Sequence, residues 1–403
     1  MHVGILGGGM QGCCCALALA ERRANVTLFD RNKQLLSRAA VANEGKVHLG
    51  YMYANDPSLA TARMMISGAL AFAPFFARHL EIAPQSLSVS QPAAYVVHRE
   101  SHRNTDQVSN YLETVHSMIL DAAGARPKAY FGRDLLQKPR PWSVAEREAE
   151  FDCSVALAAF DTPEVAINPV ALAKALRERI HSDPRIEICL AHEVLDVECI
   201  DRPVVRTRHL SGVARRRFDH VINALWDGRL AVDKTVGLYP GRPWLHRLKY
   251  GVSFYLPENA KKPHSATFVS GPFGEVVTYE DGLIYLTWYP VCLQGISSDI
   301  MPPEWPTYPD EPLRSDIVIG TLDAMSEFVV PLEGLAPGEL VDISVKGGTI
   351  VAWGESDIYD RNSELHQRYR IGITSHQRFH SIDPGKLTLT PHFAQECVNR
   401  LCS

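Results

Sequence analysis

The stretch that decides the fold is His2-Val3-Gly4-Ile5-Leu6-Gly7-Gly8-Gly9-Met10-Gln11-Gly12, with Asn25-Val26-Thr27-Leu28-Phe29-Asp30 a helix length further on. Residues 2–6 read as a short strand, residues 13–23 as a helix of small and aliphatic side chains, and residues 25–30 as a second strand ending in an acid. Gly7, Gly9 and Gly12 form GxGxxG at the turn from strand to helix. The first glycine permits the tight turn, the second lets backbone approach a pyrophosphate, and the third lets the helix pack closely. Unpaired N–H groups at the helix start, at Met10 and Gln11, add partial positive charge beneath the phosphates. Asp30, eighteen residues beyond Gly12, is placed to accept hydrogen bonds from an adenosine ribose. The unit predicts a Rossmann-like α/β dinucleotide-binding domain. Taken alone, it leaves nicotinamide and flavin dinucleotides both open.

Working outward, composition narrows the field. Lys+Arg 41 against Asp+Glu 46 gives a net charge of −5, which argues against a nucleic-acid partner gripped through a basic face. Gly 27, Pro 26 and 46% hydrophobic residues exclude collagen-like and disordered classes. At 403 residues the length suggests two or three domain-sized units. Nine cysteines without framework spacing, and a folded motif starting at residue 2 with no leader before it, predict a cytoplasmic protein with reduced thiols. The apolar run 64–77 is shorter than the roughly 20 residues of a bilayer span, so no transmembrane segment is expected. No zinc spacing is present and no metal is expected.

Further helices are predicted over 57–79, 110–123, 169–180, 316–328 and 391–401, and a strand over 93–98. Residues 186–190, 194–199, 204–209 and 218–224 read as a meander, with strands again over 250–255, 283–289 and 341–353. The stretch Met301-Pro302-Pro303-Glu304-Trp305-Pro306 reads as a surface connection before it reads as a lid.

A family resemblance enters at the segment after Asp30-Arg31 and Arg38. Asn43, Gly45, Lys46, Val47, His48, Gly50 and Tyr53 lie in an Asn-x-Gly-x-x-His-x-Gly-x-x-Tyr pattern. This loop resembles the flavin-contacting loop of the D-amino-acid oxidase superfamily, most closely that of L-2-hydroxyglutarate dehydrogenase-like members. Glu193-Val194 resembles the place where adenine meets backbone, and Val221-Ile222-Asn223-Ala224 the strand ending beside the FAD diphosphate. There the sequence departs from the family, continuing Leu225-Trp226-Asp227-Gly228 instead of Ala-Gly or Thr-Gly. Asp383-Pro384-Gly385-Lys386-Leu387-Thr388 resembles the flavin loop before the last helix, with Thr390 as its N-cap and Pro391 in its first turn. The resemblance implies FAD as cofactor and a second, mainly antiparallel β substrate domain. The FAD domain is expected in 1–80, 151–235 and 340–403, and the substrate domain in 81–150 and 236–339.

Neither the cysteine pair of disulfide reductases nor the late Gly-Asp-Ala of aromatic hydroxylases is present, since Cys13-Cys14-Cys15 sits on the nucleotide helix as packing groups. An oxidase or dehydrogenase is left. It would take a hydride from a CH–NH or CH–OH bond of a small carboxylate-bearing molecule, an amino acid or 2-hydroxy acid, and pass electrons to oxygen or another acceptor. His48 is the candidate base. Arg247 and Lys249, on one face of a strand, are candidates for the carboxylate, with His366 and Arg368 returning towards the site from the C-terminal region. A nicotinamide-dependent dehydrogenase and a non-catalytic flavin-binding partner are the alternatives.

Overall fold

The computed structural model describes residues 1–402. Strand β1 (His2–Leu6), helix α1 (Met10–Glu21) and strand β2 (Asn25–Phe29) form the expected opening unit. β1 lies at the centre of a six-stranded sheet, parallel to β2 on one side and to His220–Asn223 on the other. Ile186–Cys189 joins beyond β2, while Phe379–Asp383 and then Gly372–His376 complete the opposite edge. Both faces of this sheet are covered, which is why β1 is apolar and almost wholly buried. Cys13, Cys14 and Cys15 are enclosed on α1, and burial pushes the Cys15 thiol up to about 12, so they serve as packing groups.

The meander differs from its sequence reading. Its strands are Glu193–Glu198, Val204–His209 and Gly212–Arg217, whereas Ile186–Cys189 and His220–Asn223 belong to the parallel sheet. The reason is burial: Val221 and Ile222 are fully enclosed beside β1, while Gly212–Arg217 is a largely exposed arginine-rich hairpin strand with no apolar face.

A second sheet of nine strands, mostly antiparallel, stands beside the first. Its backbone is the pairing of Trp244–Tyr255 with Val341–Trp353 along nearly their whole lengths. Val341–Trp353 and Ala156–Asp161 thus lie in this second sheet, although the sequence divided them into the FAD-binding portion; long-range pairing, invisible in local pattern, placed them there.

Helix α2 (Ala60–Leu80) has 21 residues, longer than the apolar run suggested and long and apolar enough to cross a membrane on those criteria alone. Within the fold, 67% of its most apolar window is buried. Met65, Ile66, Ala69, Phe72, Ala73 and Phe76 recur at three- and four-residue intervals and are 0–2% exposed, the stripe of a core helix. Gly68 on this helix leaves room for the C-terminal loop, since a Cβ there would stand 2.9 Å from the Thr388 carbonyl oxygen. Phe76→Ala is therefore expected to destabilise the protein by about 3–5 kcal/mol in denaturant unfolding. A loss below about 1 kcal/mol would contradict this packing.

Candidate cofactor and substrate site

A cavity of about 300 Å³ opens between the two sheets, beginning at the carboxyl ends of β1 and β2, the usual position of a ligand in such a sheet. Of the dinucleotide candidates, Gly7, Gly9, Met10, Gln11, Asp30, Arg31, Arg38, Val194 and Ala224 line it. Gly7 has φ +99, and a Cβ there would collide with the Ala224 carbonyl at 2.6 Å. Gly12 is lodged beneath, where a Cβ would meet the Gly7 oxygen at 1.8 Å. A Cβ on Gly9 would meet no protein atom within 4 Å, because that position faces the cavity. No side chain caps α1 and its first turn holds no acid, so its free N–H groups are left for an anion. The buried Gln11 Oε1 also has no partner.

Asp30 does more than its motif role suggested. One carboxylate oxygen accepts from the Gly8 N–H at 2.8 Å, the other from the backbone and side-chain nitrogens of Asn32 at 2.7 and 2.8 Å. It tightens the glycine loop and retains acceptor capacity towards the cavity. Asp227, from the segment that departs from the family pattern, also lines the cavity and stands 3.7 Å from Arg31 and 3.4 Å from Arg38. Asn223 is not a cavity residue: its amide donates to the Arg229 carbonyl and to Asp233. It supports the loop from behind.

At the other end, Asn43, Lys46 and His48 line the cavity opposite Gly385, Lys386 and Leu387, while Gly45, Val47 and Thr388 support them from outside the wall. The Asn43 side chain accepts from the Gly45 N–H and donates to the Ala39 carbonyl, both at 2.8 Å. Gly45, at φ +73, packs where a Cβ would strike the Ile167 oxygen. Thr388 accepts from the His48 N–H at 2.9 Å, tying the two loops together. Thr390 opens the last helix with its hydroxyl donating to the Leu387 carbonyl, so it is not a capping acceptor.

Charge is concentrated here. The buried Lys46 ammonium donates to Glu275 at 2.6 Å and to the Thr267 hydroxyl. Burial would raise the Glu44 carboxyl, but Lys249 and Lys386 outweigh it and hold the group well below its ordinary range. Burial, with Arg368 nearby, brings the Lys386 ammonium down to about 8. His48 donates or accepts at Nδ1 with Glu164 at 3.2 Å, while its Nε2 is buried without a partner. The Tyr53 hydroxyl, whose ring stands edge-on to His48 at 5.7 Å, is likewise buried and unpartnered.

Among the substrate-side candidates, Lys249 lines the cavity and Arg247 does not. Arg247 is 2% exposed and bonded to the Tyr289 hydroxyl at 2.5 Å and to Asp357 at 2.7 Å, leaving its Nε free. Arg368 is also off the cavity wall; it has no carboxylate within ion-pair distance among the described residues, and burial together with Arg247 lowers its pKa. His366 sits in a surface turn against the Asp360 carbonyl, off the cavity wall. Met301, Trp305 and Thr307 of the proline-rich segment do line the cavity, so that segment is more than a connection. Sequence reading missed Glu164 altogether, and no motif marks it.

Glycine backbone and anion-ready N–H groups thus stand at one end of the cavity, and the paired 43–48 and 385–388 loops at the other. A family model described as FAD dependent oxidoreductase matches residues 2–321. L-alpha-glycerophosphate oxidase from Mycoplasma pneumoniae, solved with FAD bound, superposes with a TM-score of 0.67 at 16% identity, over 100% of this chain and 94% of that one. Glycine oxidase from Geobacillus kaustophilus superposes at 0.68 and 15% identity, over 99% and 94%. L-proline dehydrogenase from P. horikoshii does so at 0.65 and 12%, over 100% and 93%. No curated protein sequence matches the chain.

Gly9→Ala tests the site. It meets no protein atom, so the FAD-free protein should unfold as wild type does, while FAD affinity falls about tenfold or more, equivalent to about 1.4 kcal/mol. Unchanged FAD affinity would contradict the assignment.

Proposed function

Because the chain belongs to the FAD dependent oxidoreductase family and is an enzyme with FAD as its cofactor, we propose that it oxidises a CH–NH or CH–OH bond of a small carboxylate-bearing molecule, an amino acid or 2-hydroxy acid. The nicotinamide alternative falls with the family assignment. When bound, FAD supplies a two-electron acceptor for hydride, and its electrons pass on to oxygen or another acceptor.

The single observation behind this reading is the His48 Nε2, buried, on a residue of the cavity wall, and without a protein partner. Buried polar atoms are almost always hydrogen-bonded, so an orphan at such a wall points to a ligand. As the hydride leaves the substrate carbon, His48 Nε2 takes the proton of the attached hydroxyl or amine. Arg368 and the Tyr53 hydroxyl, set behind the cavity wall next to His48, take the substrate carboxylate, since Arg368 is a cation without an acid partner and Tyr53 a donor without an acceptor. Arg247 adds charge from behind, partly neutralised by Asp357. Lys249 and Lys386 keep this end of the cavity electropositive.

Anaerobic mixing of FAD-loaded protein with panels of amino acids, 2-hydroxy acids, and alcohols and amines lacking a carboxylate is the direct test. Members of the first two panels should bleach the flavin and the others should not; no bleaching by any compound would overturn the proposal. Arg368→Leu should weaken binding of the active acid about ten- to hundredfold, the value of about 1.5–3 kcal/mol for a charged hydrogen bond, and unchanged binding would remove Arg368 from the role. Lys386 yields a pH dependence. With its ammonium titrating near 8, it is charged below that pH and favours the negative charge of the reduced cofactor, and that help fades as pH rises through 8. Lys386→Met should lower the flavin midpoint potential at pH about 7 by about 30 mV, or about 1.4 kcal/mol for two electrons. The gap should close above pH about 9 as the lysine itself deprotonates; a gap independent of pH would contradict the assignment.

A further inference from the structure

Glu164 is fully buried and outside the cavity wall, yet it holds His48, a wall histidine whose outer nitrogen is buried without a partner. We propose that Glu164 is a positioning residue, whose carboxylate fixes the ring orientation and tautomer of His48 so that Nε2 faces the substrate as a proton acceptor. This rests on the reading in which His48 takes the substrate proton.

The argument is one of donors and acceptors. An ionised carboxylate only accepts hydrogen bonds, and a neutral imidazole carries one N–H. The 3.2 Å contact between Nδ1 and Glu164 Oε1 therefore assigns the proton to Nδ1 and leaves the lone pair on Nε2. The carboxylate cannot turn away. Its Oε1 also accepts from the Tyr95 hydroxyl at 2.5 Å, and its Oε2 accepts from the Leu49 N–H at 2.7 Å. Both oxygens are thus acceptors, and although burial alone would raise the Glu164 carboxyl, its charged and hydrogen-bonding neighbours hold it below its ordinary range. When Nε2 takes a proton, the imidazolium forms against this fixed charge where the dielectric is low. A buried aspartate orients the histidine of serine hydrolases by the same logic.

The surroundings also dictate what glutamine would do. The Leu49 N–H needs an acceptor, so the glutamine oxygen stays with it and the amide nitrogen turns towards His48. That nitrogen donates to Nδ1, which moves the imidazole proton to Nε2 and blocks the acceptor.

Isotopic labelling of the histidine nitrogens in the FAD-loaded protein reads the tautomer by NMR, with His48→Gln identifying the signal. The wild type should carry its proton on Nδ1 and Glu164→Gln on Nε2. The same variant should retain FAD and bind acetate within about threefold of wild type, yet slow anaerobic flavin reduction by the active acid roughly 10³- to 10⁴-fold. Glu164→Asp, still an acceptor only, should recover part of that rate. An Nε2-protonated wild type, or a Gln variant with unchanged tautomer and rate, would overturn the proposal. Should the Gln variant fail to fold, the wild-type spectrum decides. A correct tautomer in a protein that no acid bleaches would count against the proposed reaction and leave the positioning role standing.

Discussion

One carboxylate, that of Glu164, ties the 43–53 loop to the second sheet. It lies just beyond the strand Ala156–Asp161, accepts from Tyr95 on the neighbouring strand, and reaches across to Leu49 and His48. Removing a carboxylate from water costs several kcal/mol, and only a complete set of partners offsets it. Any shift of the 43–53 loop would strand that charge, so the loop has a single position. The Lys46–Glu275 pair repeats the device between the same loop and the strand Gly274–Thr278.

These paired charges differ from the unpaired groups around them. His48 Nε2, the Tyr53 hydroxyl and the Gln11 Oε1 are enclosed with no partner, and Arg368 has no acid. Each costs stability in the protein by itself, on the order of 1–3 kcal/mol for a buried unsatisfied group. Gln11 and His48 line the two ends of the cavity, and Tyr53 stands against the His48 ring.

How much of this was legible from the chain follows from the range of the forces involved. The opening βαβ unit and the loop at 43–53 are local patterns, and Gly7, Asp30 and His48 carry their meaning in their spacing. Val341–Trp353 pairs with a strand about a hundred residues away, and Ala156–Asp161 with one about sixty away, so local periodicity could not assign them. Arg247 shows the same limit within the site. Alternation placed it on a face with Lys249, but the Tyr289 hydroxyl and Asp357 turned it into a buried pair away from the cavity wall. Glu164 had no motif, since its meaning arises only where Leu49, Tyr95 and His48 converge. The Asp227 departure, by contrast, was visible in sequence, and its role with Arg31 and Arg38 was not.

The central claim is geometric: FAD-loaded protein holds an acid with its carboxylate at Arg368 and Tyr53 and its reacting carbon before His48 Nε2. A crystal structure of that complex with propionate, which offers the carboxylate without the oxidisable group, tests it most directly. The account predicts the carboxylate on the Arg368 guanidinium and the Tyr53 hydroxyl, with His48 Nε2 facing the propionate chain and Nδ1 still on Glu164. Propionate bound elsewhere, or a His48 ring turned from Glu164 with its Nε2 taken by another protein group, would contradict it.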